Sequence, residues 1–163
     1  MRPLYNLMAG LWLGLLSLAP SALAEGSSPR APLVIQDPEG QLIAALQVEI
    51  AASPAQQRQG LMGRTLPDDN LGMLFIFPEA RPRHFWMHDT PGSLDMIFAD
   101  DGGRITHIVH AAPPLSDRIH SSQGPARYVL EVRGGFAARH GVLPGMWLIL
   151  TDGKPGAWGP SAP

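Results

Sequence analysis

The sequence predicts a mostly β fold, either a β-sandwich or a jelly-roll-like barrel, with one or two short helices. Short apolar runs alternate with turn residues along most of the 163-residue chain, which is typical of antiparallel β domains. The run from Ala126 to Arg133 alternates its side chains between two faces, as a strand does. Because the chain contains no cysteine, disulfides cannot stabilise this fold and a hydrophobic core must do so.

About eight apolar runs are expected to form strands. The segment Asp100 to Gly103 joins two of them and predicts a hairpin, and Asp37 to Gly40 predicts a turn. The expected strands are Leu33 to Gln36, Leu42 to Ile50, Gly72 to Phe77, His84 to Thr90, Leu94 to Ala99, Arg104 to His110, Ala126 to Arg133 and Met146 to Leu150.

Two helices are predicted from their end signals. Ser53 precedes Pro54, and Gln56 follows three positions after the serine, which is the pattern of a capping box. We expect this helix to continue from Pro54 to about Gly63. A second short helix is expected from Phe136 to His140, where Gly141 provides a C-terminal cap.

Residues 1–24 have the order of a secretory signal peptide. Arg2 precedes an apolar run from about Leu7 to Ala19, and Ala22-Leu23-Ala24 forms a small-residue cleavage site. The apolar run is shorter than the roughly 20 residues that a spanning helix needs. We therefore expect cleavage after Ala24 and a mature protein in the periplasm or outside the cell, with an uncleaved anchor as the alternative.

The rest of the chain is predicted to form one domain. Residues 25–32 are expected to be a disordered lead-in, residues 33–152 the β domain, and residues 153–163 a loose tail rich in glycine and proline. With no cysteine available for lipid attachment, the mature protein is expected to be soluble and to have no stable membrane anchor.

Four sequence blocks occur in a fixed order along the chain. They are Gly60 to Leu66, Gly72 to Phe75, Phe85 to Met87 with Thr90, Leu94-Asp95 and Phe98, and Ala126 to Val132 with Gly134-Gly135. Together they resemble the domain of unknown function family 192, and the resemblance extends from about Val48 to Leu150. It implies a small, mostly β, jelly-roll-like domain that is often exported, and it implies no activity. His88-Asp89 and Ser93 depart from the family pattern.

The charge balance and the missing motifs exclude several classes of function. The formal net charge is −2 and there is no basic run, so neither nucleic acid nor an anionic membrane is an expected partner. No Gly-x-Ser-x-Gly elbow and no phosphate-binding glycine pattern occurs. His84 and His88 lie too far apart on a strand for an easy zinc site, and no metal or other cofactor is predicted.

Two carboxylates keep an enzymatic alternative open. Asp95 and Glu131 lie in strands that could be neighbours, and two carboxylates facing one cleft could act as acid and base in a hydrolase. The commoner outcome is a structural pair with an arginine, for which Arg64, Arg127 or Arg133 could serve.

A binding module is the leading functional hypothesis. Trp86 between polar neighbours is typical of a platform for a sugar or another amphipathic ligand. The partner would be a small polar or carbohydrate-like ligand or an envelope protein. A structural or chaperone-like interaction protein is the third possibility and would require a large exposed apolar patch. The candidate ligand-binding residues are Arg64, Trp86, Met87, His88, Thr90, Asp95 and Glu131.

Overall fold

The computed structural model describes residues 30–151. The predicted signal peptide and tail lie outside these residues, as does most of the predicted lead-in. The described residues form seven strands and two short helices, so the predicted mostly β class is confirmed. The elements are β1 Arg30–Gln36, β2 Leu42–Ala51, α1 Pro54–Gln59, β3 Leu71–Phe85, β4 Leu94–Ala99, β5 Ile105–Ala112, β6 His120–Arg133, α2 Phe136–His140 and β7 Trp147–Leu150.

The strands form one curled sheet in the order β5-β4-β6-β3-β2-β1-β7. Strands β2 and β3 run parallel, and the other neighbouring strands are antiparallel. At one end the two edges of the sheet meet, because Arg104 forms a bridge with Trp147 and the Leu148 N–H donates to the Gly103 carbonyl at 2.8 Å. The architecture is therefore a half-closed barrel.

Each face of the sheet packs its own hydrophobic cluster. Residues of both edge strands join the first cluster, which includes Leu130 and Phe136 and fills the inside of the curl; we call it the inner core. The second cluster includes Phe75, Met96 and Phe98 on the opposite face; we call it the outer core. No helix among residues 30–151 is long and apolar enough to cross a membrane.

Helix α1 begins at the predicted capping box but ends earlier than expected. Ser53 Oγ accepts from the Gln56 N–H at 3.3 Å, and the Gln56 side chain accepts from the Ser53 N–H at 2.9 Å. The helix ends at Gln59 because Gly60 adopts φ 46°, a conformation that favours glycine. A Cβ at Gly60 would also lie 3.3 Å from the Phe75 ring, so the chain turns close against the outer core.

Three further predictions about the chain are wrong in their extent. Of the expected strand from His84 to Thr90, only His84 and Phe85 are extended, as the end of β3. The following loop bonds to another loop, with the Met87 N–H donating to the Ser116 carbonyl at 2.9 Å. Strand β6 begins at His120, because it pairs with the extended end of β3. Residues 30–32 belong to β1, where pairing with β2 orders them.

Asp95 joins α2 to the sheet. Its carboxylate is fully buried and accepts from the N–H groups of Ala111, Gly135 and Ala137 at 2.7, 2.9 and 2.8 Å. Gly135 is the N-cap residue of α2, so a carboxylate from strand β4 does the work of the missing capping side chain. The expected arginine partner of Asp95 is replaced by three backbone amides.

Replacing Asp95 with alanine should strongly destabilise the protein. The change leaves three backbone N–H groups without their acceptor, and each unsatisfied buried group costs roughly 1–3 kcal/mol. We expect the free energy of unfolding in urea to fall by about 3 kcal/mol or more. Asp101→Ala, in the exposed turn before β5, is the control and should change it by less than about 0.5 kcal/mol. Equal losses in the two variants would contradict this role.

Candidate functional site

Glu131 is the unusual residue of the outer face. Its neighbours across the sheet are Met73 on β3 and Met96 on β4, so the side chain points into the outer core. The residue is only 5% exposed, and no described residue donates a hydrogen bond to its carboxyl group. Burial raises the pKa of Glu131 to about 8, so the carboxyl group is mostly protonated at neutral pH.

A cavity of about 40 Å³ lies above Glu131. Its walls are the last turn of α1 with Gly60, the rings of Phe75, Phe85 and Trp86, and the side chain of Thr90. Since one water molecule needs about 10–15 Å³ of such space, the cavity admits a few small atoms but no whole side chain. Glu131 therefore lies at the bottom of a narrow space.

A wider groove of about 650 Å³ shares walls with the cavity. Phe75, Phe85 and Trp86 line both spaces, while Phe77 and Arg83 line the groove alone. The Phe85 ring meets the Phe75 ring edge to face at 5.0 Å between centroids, and the Arg83 guanidinium lies 3.8 Å above the centre of the Phe77 ring. The groove walls are thus aromatic and held by ring contacts.

Trp86 is 47% exposed at the junction of cavity and groove. The His88 ring stacks on it with centroids 4.9 Å apart, and His88 Nδ1 lies 2.7 Å from Asp117 Oδ1. This hydrogen bond raises the pKa of His88. Thr90 Oγ1 donates to the His88 carbonyl at 3.1 Å. Neighbouring groups therefore hold the indole in place although much of its surface faces solvent.

Arg58 supplies the positive charge of this site. It lies on α1, is exposed, and lines both the cavity and the groove. No described residue forms an ion pair or hydrogen bond with its guanidinium. Arg83, in contrast, donates from Nε to the Ala126 carbonyl at 3.1 Å and covers Phe77. Arg58 is consequently the cation available to a molecule in the site.

The structure brings together some of the predicted site residues. Trp86, Thr90 and Glu131 line the same cavity, and His88 supports Trp86 from outside. Met87 is fully buried in the outer core and does not line the cavity. Three residues of the predicted set therefore share the cavity, and Met87 is a core residue.

Arg64 and Asp95 do not belong to the cavity. The Arg64 guanidinium makes two hydrogen bonds to the Glu49 carboxylate, at 3.0 and 2.6 Å, which lower the pKa of Glu49. Asp95 pairs across the sheet with Val132, the residue after Glu131, and successive side chains of a strand point to opposite faces. Asp95 and Glu131 therefore do not share a cleft, and the acid–base pair expected of a hydrolase is not formed.

Sequence reasoning missed the contribution of α1 to the site. Gln57 and Arg58 line the cavity because the turn at Gly60 brings the helix end against the sheet. Phe75 belongs to the outer core and Phe85 packs against it, and both also line the cavity. The block Gly60 to Leu66 could have indicated this contribution, because it begins with the turn that brings the helix end against the sheet. Among residues 30–151, no cluster of three or more histidine or acidic side chains could hold a metal ion.

Comparisons with known proteins agree with the sequence blocks. The model of the family DUF192, described as uncharacterized ACR, matches residues 34–150. The chain belongs to the DUF192 family. The resemblance found from its sequence blocks is thereby confirmed. Among curated proteins, no significant match was found.

Two crystal structures resemble this DUF192 protein over almost their whole length. One, from Sinorhizobium meliloti, was described as a proposed transcription regulator; it is 38% identical, with a TM-score of 0.74, and the match covers 79% of this chain and 99% of that one. The other, a protein of unknown function from Novosphingobium aromaticivorans, is 30% identical, with a TM-score of 0.72, and the match covers 86% and 99% of the two chains.

The buried Glu131 should make stability depend on pH. A glutamate of an unfolded chain titrates near 4.5, whereas Glu131 in the folded protein titrates near 8. Between these values the folded state holds a proton that the unfolded state has lost. The free energy of unfolding should therefore fall as pH rises, by up to about 1.4 kcal/mol per pH unit between about pH 5 and pH 8.

Urea unfolding at several pH values checks this expectation. Glu131→Gln cannot ionise, so its stability should fall less steeply than that of the natural protein across the same window. Glu39→Gln, in the exposed turn after β1, is the matched control and should keep the natural slope. Parallel curves for the natural protein and Glu131→Gln would show that Glu131 does not titrate near 8.

Proposed function

We propose that this DUF192 protein is an exported binding protein for a small ligand, and that the ligand occupies the cavity above Glu131 and the adjoining groove. The observation that carries the proposal is the buried carboxyl group without a protein partner. Among the described residues, His120 Nε2 is the one side-chain polar atom that is shielded from solvent without a partner, so the Glu131 oxygens still reach the solvent of the cavity. A ligand group that bonds to Glu131 would replace that solvent.

The shape of the site also supports a small ligand. Binding sites for small molecules are commonly concave, mostly apolar and formed before the ligand arrives, with a few polar groups that orient it. Here the aromatic walls are the apolar part, and the polar lining residues are Glu131, Thr90, Arg58, Gln57 and Gln59. A cavity of about 40 Å³ suits one small polar group better than the surface of an envelope protein.

Export is proposed from the signal peptide of residues 1–24. In the periplasm or outside the cell, a soluble domain of this size could capture a small molecule. Nucleic acid is a poorer partner. The S. meliloti relative was described as a proposed transcription regulator. This chain has a formal net charge of −2 and no basic run, whereas a surface that binds nucleic acid is basic.

Thermal unfolding against a panel of sugars, organic acids, amides and amines tests the binding function. A ligand at 100 times its dissociation constant adds about 2.7 kcal/mol of stability, which should raise the midpoint by several degrees. We expect Trp86→Ala to lose most of any such shift. Leu143→Ala removes another exposed apolar side chain, which lies outside the groove, and should keep the shift. A shift that survives in Trp86→Ala, or no shift with any compound, would contradict the proposed site.

Expression of the full chain in a Gram-negative host tests export. We expect the mass of the periplasmic protein to correspond to a chain that begins at Glu25, because the small-residue site ends at Ala24. Ala24→Tyr should block cleavage and leave the precursor with the membranes. Ser28→Tyr places the same bulky residue beyond the site and should be processed normally. A full-length product in the cytoplasm would refute the proposal of export.

A further inference from the structure

We propose that the ligand is a small organic acid with an apolar ring, whose carboxylate enters the cavity between Glu131 and Arg58 while the ring lies in the groove against Trp86. This inference rests on the proposed function and names its ligand class. It depends on three features that meet at one place: a buried acid without a partner, a cation without a partner, and aromatic walls.

Two of the polar groups that line the cavity, Glu131 and Arg58, can donate to an oxyanion. Because burial keeps Glu131 protonated at neutral pH, its carboxyl O–H is a donor. The Arg58 guanidinium carries only donors and has no acceptor among the described residues. Hydrogen bonds to an ionised acceptor are stronger than those between neutral groups. A ligand carboxylate could accept from both groups at once.

The charges around the cavity favour an anion over a cation. The charged or titratable groups that line the cavity or the groove are Arg58 of α1 and Arg83 and His84 of β3, besides Glu131 itself. From β4, the side chain opposite Glu131 is the apolar Met96. A ligand ammonium would lie near Arg58 and would require Glu131 to lose its proton while buried, and both effects are unfavourable.

Size and wall chemistry define the rest of the ligand. A cavity of about 40 Å³ accommodates a head of about three heavy atoms, such as a carboxylate, and excludes a sugar ring. The groove beside it is large enough for a ring and is lined by Trp86, Phe77 and Phe85. Because Arg83 is already engaged with Phe77 and Ala126, it forms part of the wall.

Matched ligand series test this assignment by calorimetry. Benzoate, benzamide and benzylamine share a ring and differ in the head group, and indole-3-acetate, indole-3-acetamide and tryptamine form a second series. At pH 7 we expect the acid of at least one series to bind at least tenfold more tightly than its amide and its amine. Tighter binding of an amine or an amide, or no binding of either acid at millimolar concentration, would overturn the ligand class.

The pH dependence identifies the donor. If the carboxylate accepts from protonated Glu131, its affinity should fall about tenfold between pH 7 and pH 9 as that group ionises. Glu131→Gln retains an N–H donor and should bind the acid with little change over this range. Any change that remains in the variant would report His88 or another group. Equal pH dependence in both proteins would exclude the contact with Glu131.

Arginine variants identify the cation. Arg58→Gln should weaken binding of the acid at least tenfold and leave its amide within about twofold, because the amide lacks the charge. Arg118→Gln, an exposed arginine outside the cavity and the groove, should change neither. Equal losses for acid and amide in Arg58→Gln would overturn the charge contact. If the acids fail but another compound binds in a manner that depends on Trp86, the ligand class is wrong and the proposed function stands.

Discussion

Strand β6 hydrogen-bonds to β3 on one side and to β4 on the other, and this double pairing decides which side chains face each core. Leu130 and Val132 point inward and close the inner core, so Glu131 between them must point outward. A shift of one residue would place the carboxyl group inside the curl and two aliphatic side chains outside. The position of Glu131 is thus fixed by the same register that builds the inner core.

The segment from α1 to Leu66 then determines what Glu131 meets. If the outer face were open, water would hydrate the carboxyl group and its pKa would stay ordinary. The turn at Gly60 instead carries the helix end and Leu61 onto Phe75 and the outer core. Glycine suits this position because of its positive φ and the close approach of the Phe75 ring. The cavity therefore forms because this turn places the helix end over the outer face of the sheet.

Local signals made much of the fold predictable. The capping box of Ser53, the strand Leu94–Ala99 and the helix Phe136–His140 with its Gly141 cap all depend on neighbours in sequence, and all three occur in the structure. The site was less predictable because it depends on register and on segments far apart in sequence. Alternation along β6 was visible in the sequence, but the neighbour and the register of β4 were not.

Those long-range contacts explain why Asp95 and Glu131 were expected to share a cleft, and why the contribution of Arg58 was missed. Glu131 pairs with Met96, the residue after Asp95, so the two carboxyl groups lie on opposite faces of the sheet. Likewise, the sequence of the helix alone does not indicate that its last turn lines a cavity with Phe75. The burial of Met87 depends in the same way on a loop contact to Ser116.

The two buried carboxyl groups give the strongest argument that the outer face has a function. Asp95 has three backbone donors, which is how a protein satisfies a carboxylate that serves structure. Glu131 is almost as deeply buried, yet the described residues offer it no donor, and an apolar side chain at this position of the outer core would avoid the cost of desolvation. The fold therefore provides hydrogen-bond donors for a buried acid that has a structural role. The acid without a protein donor lies where a cavity, a free guanidinium and an exposed indole converge, and the proposed binding would account for all four features together.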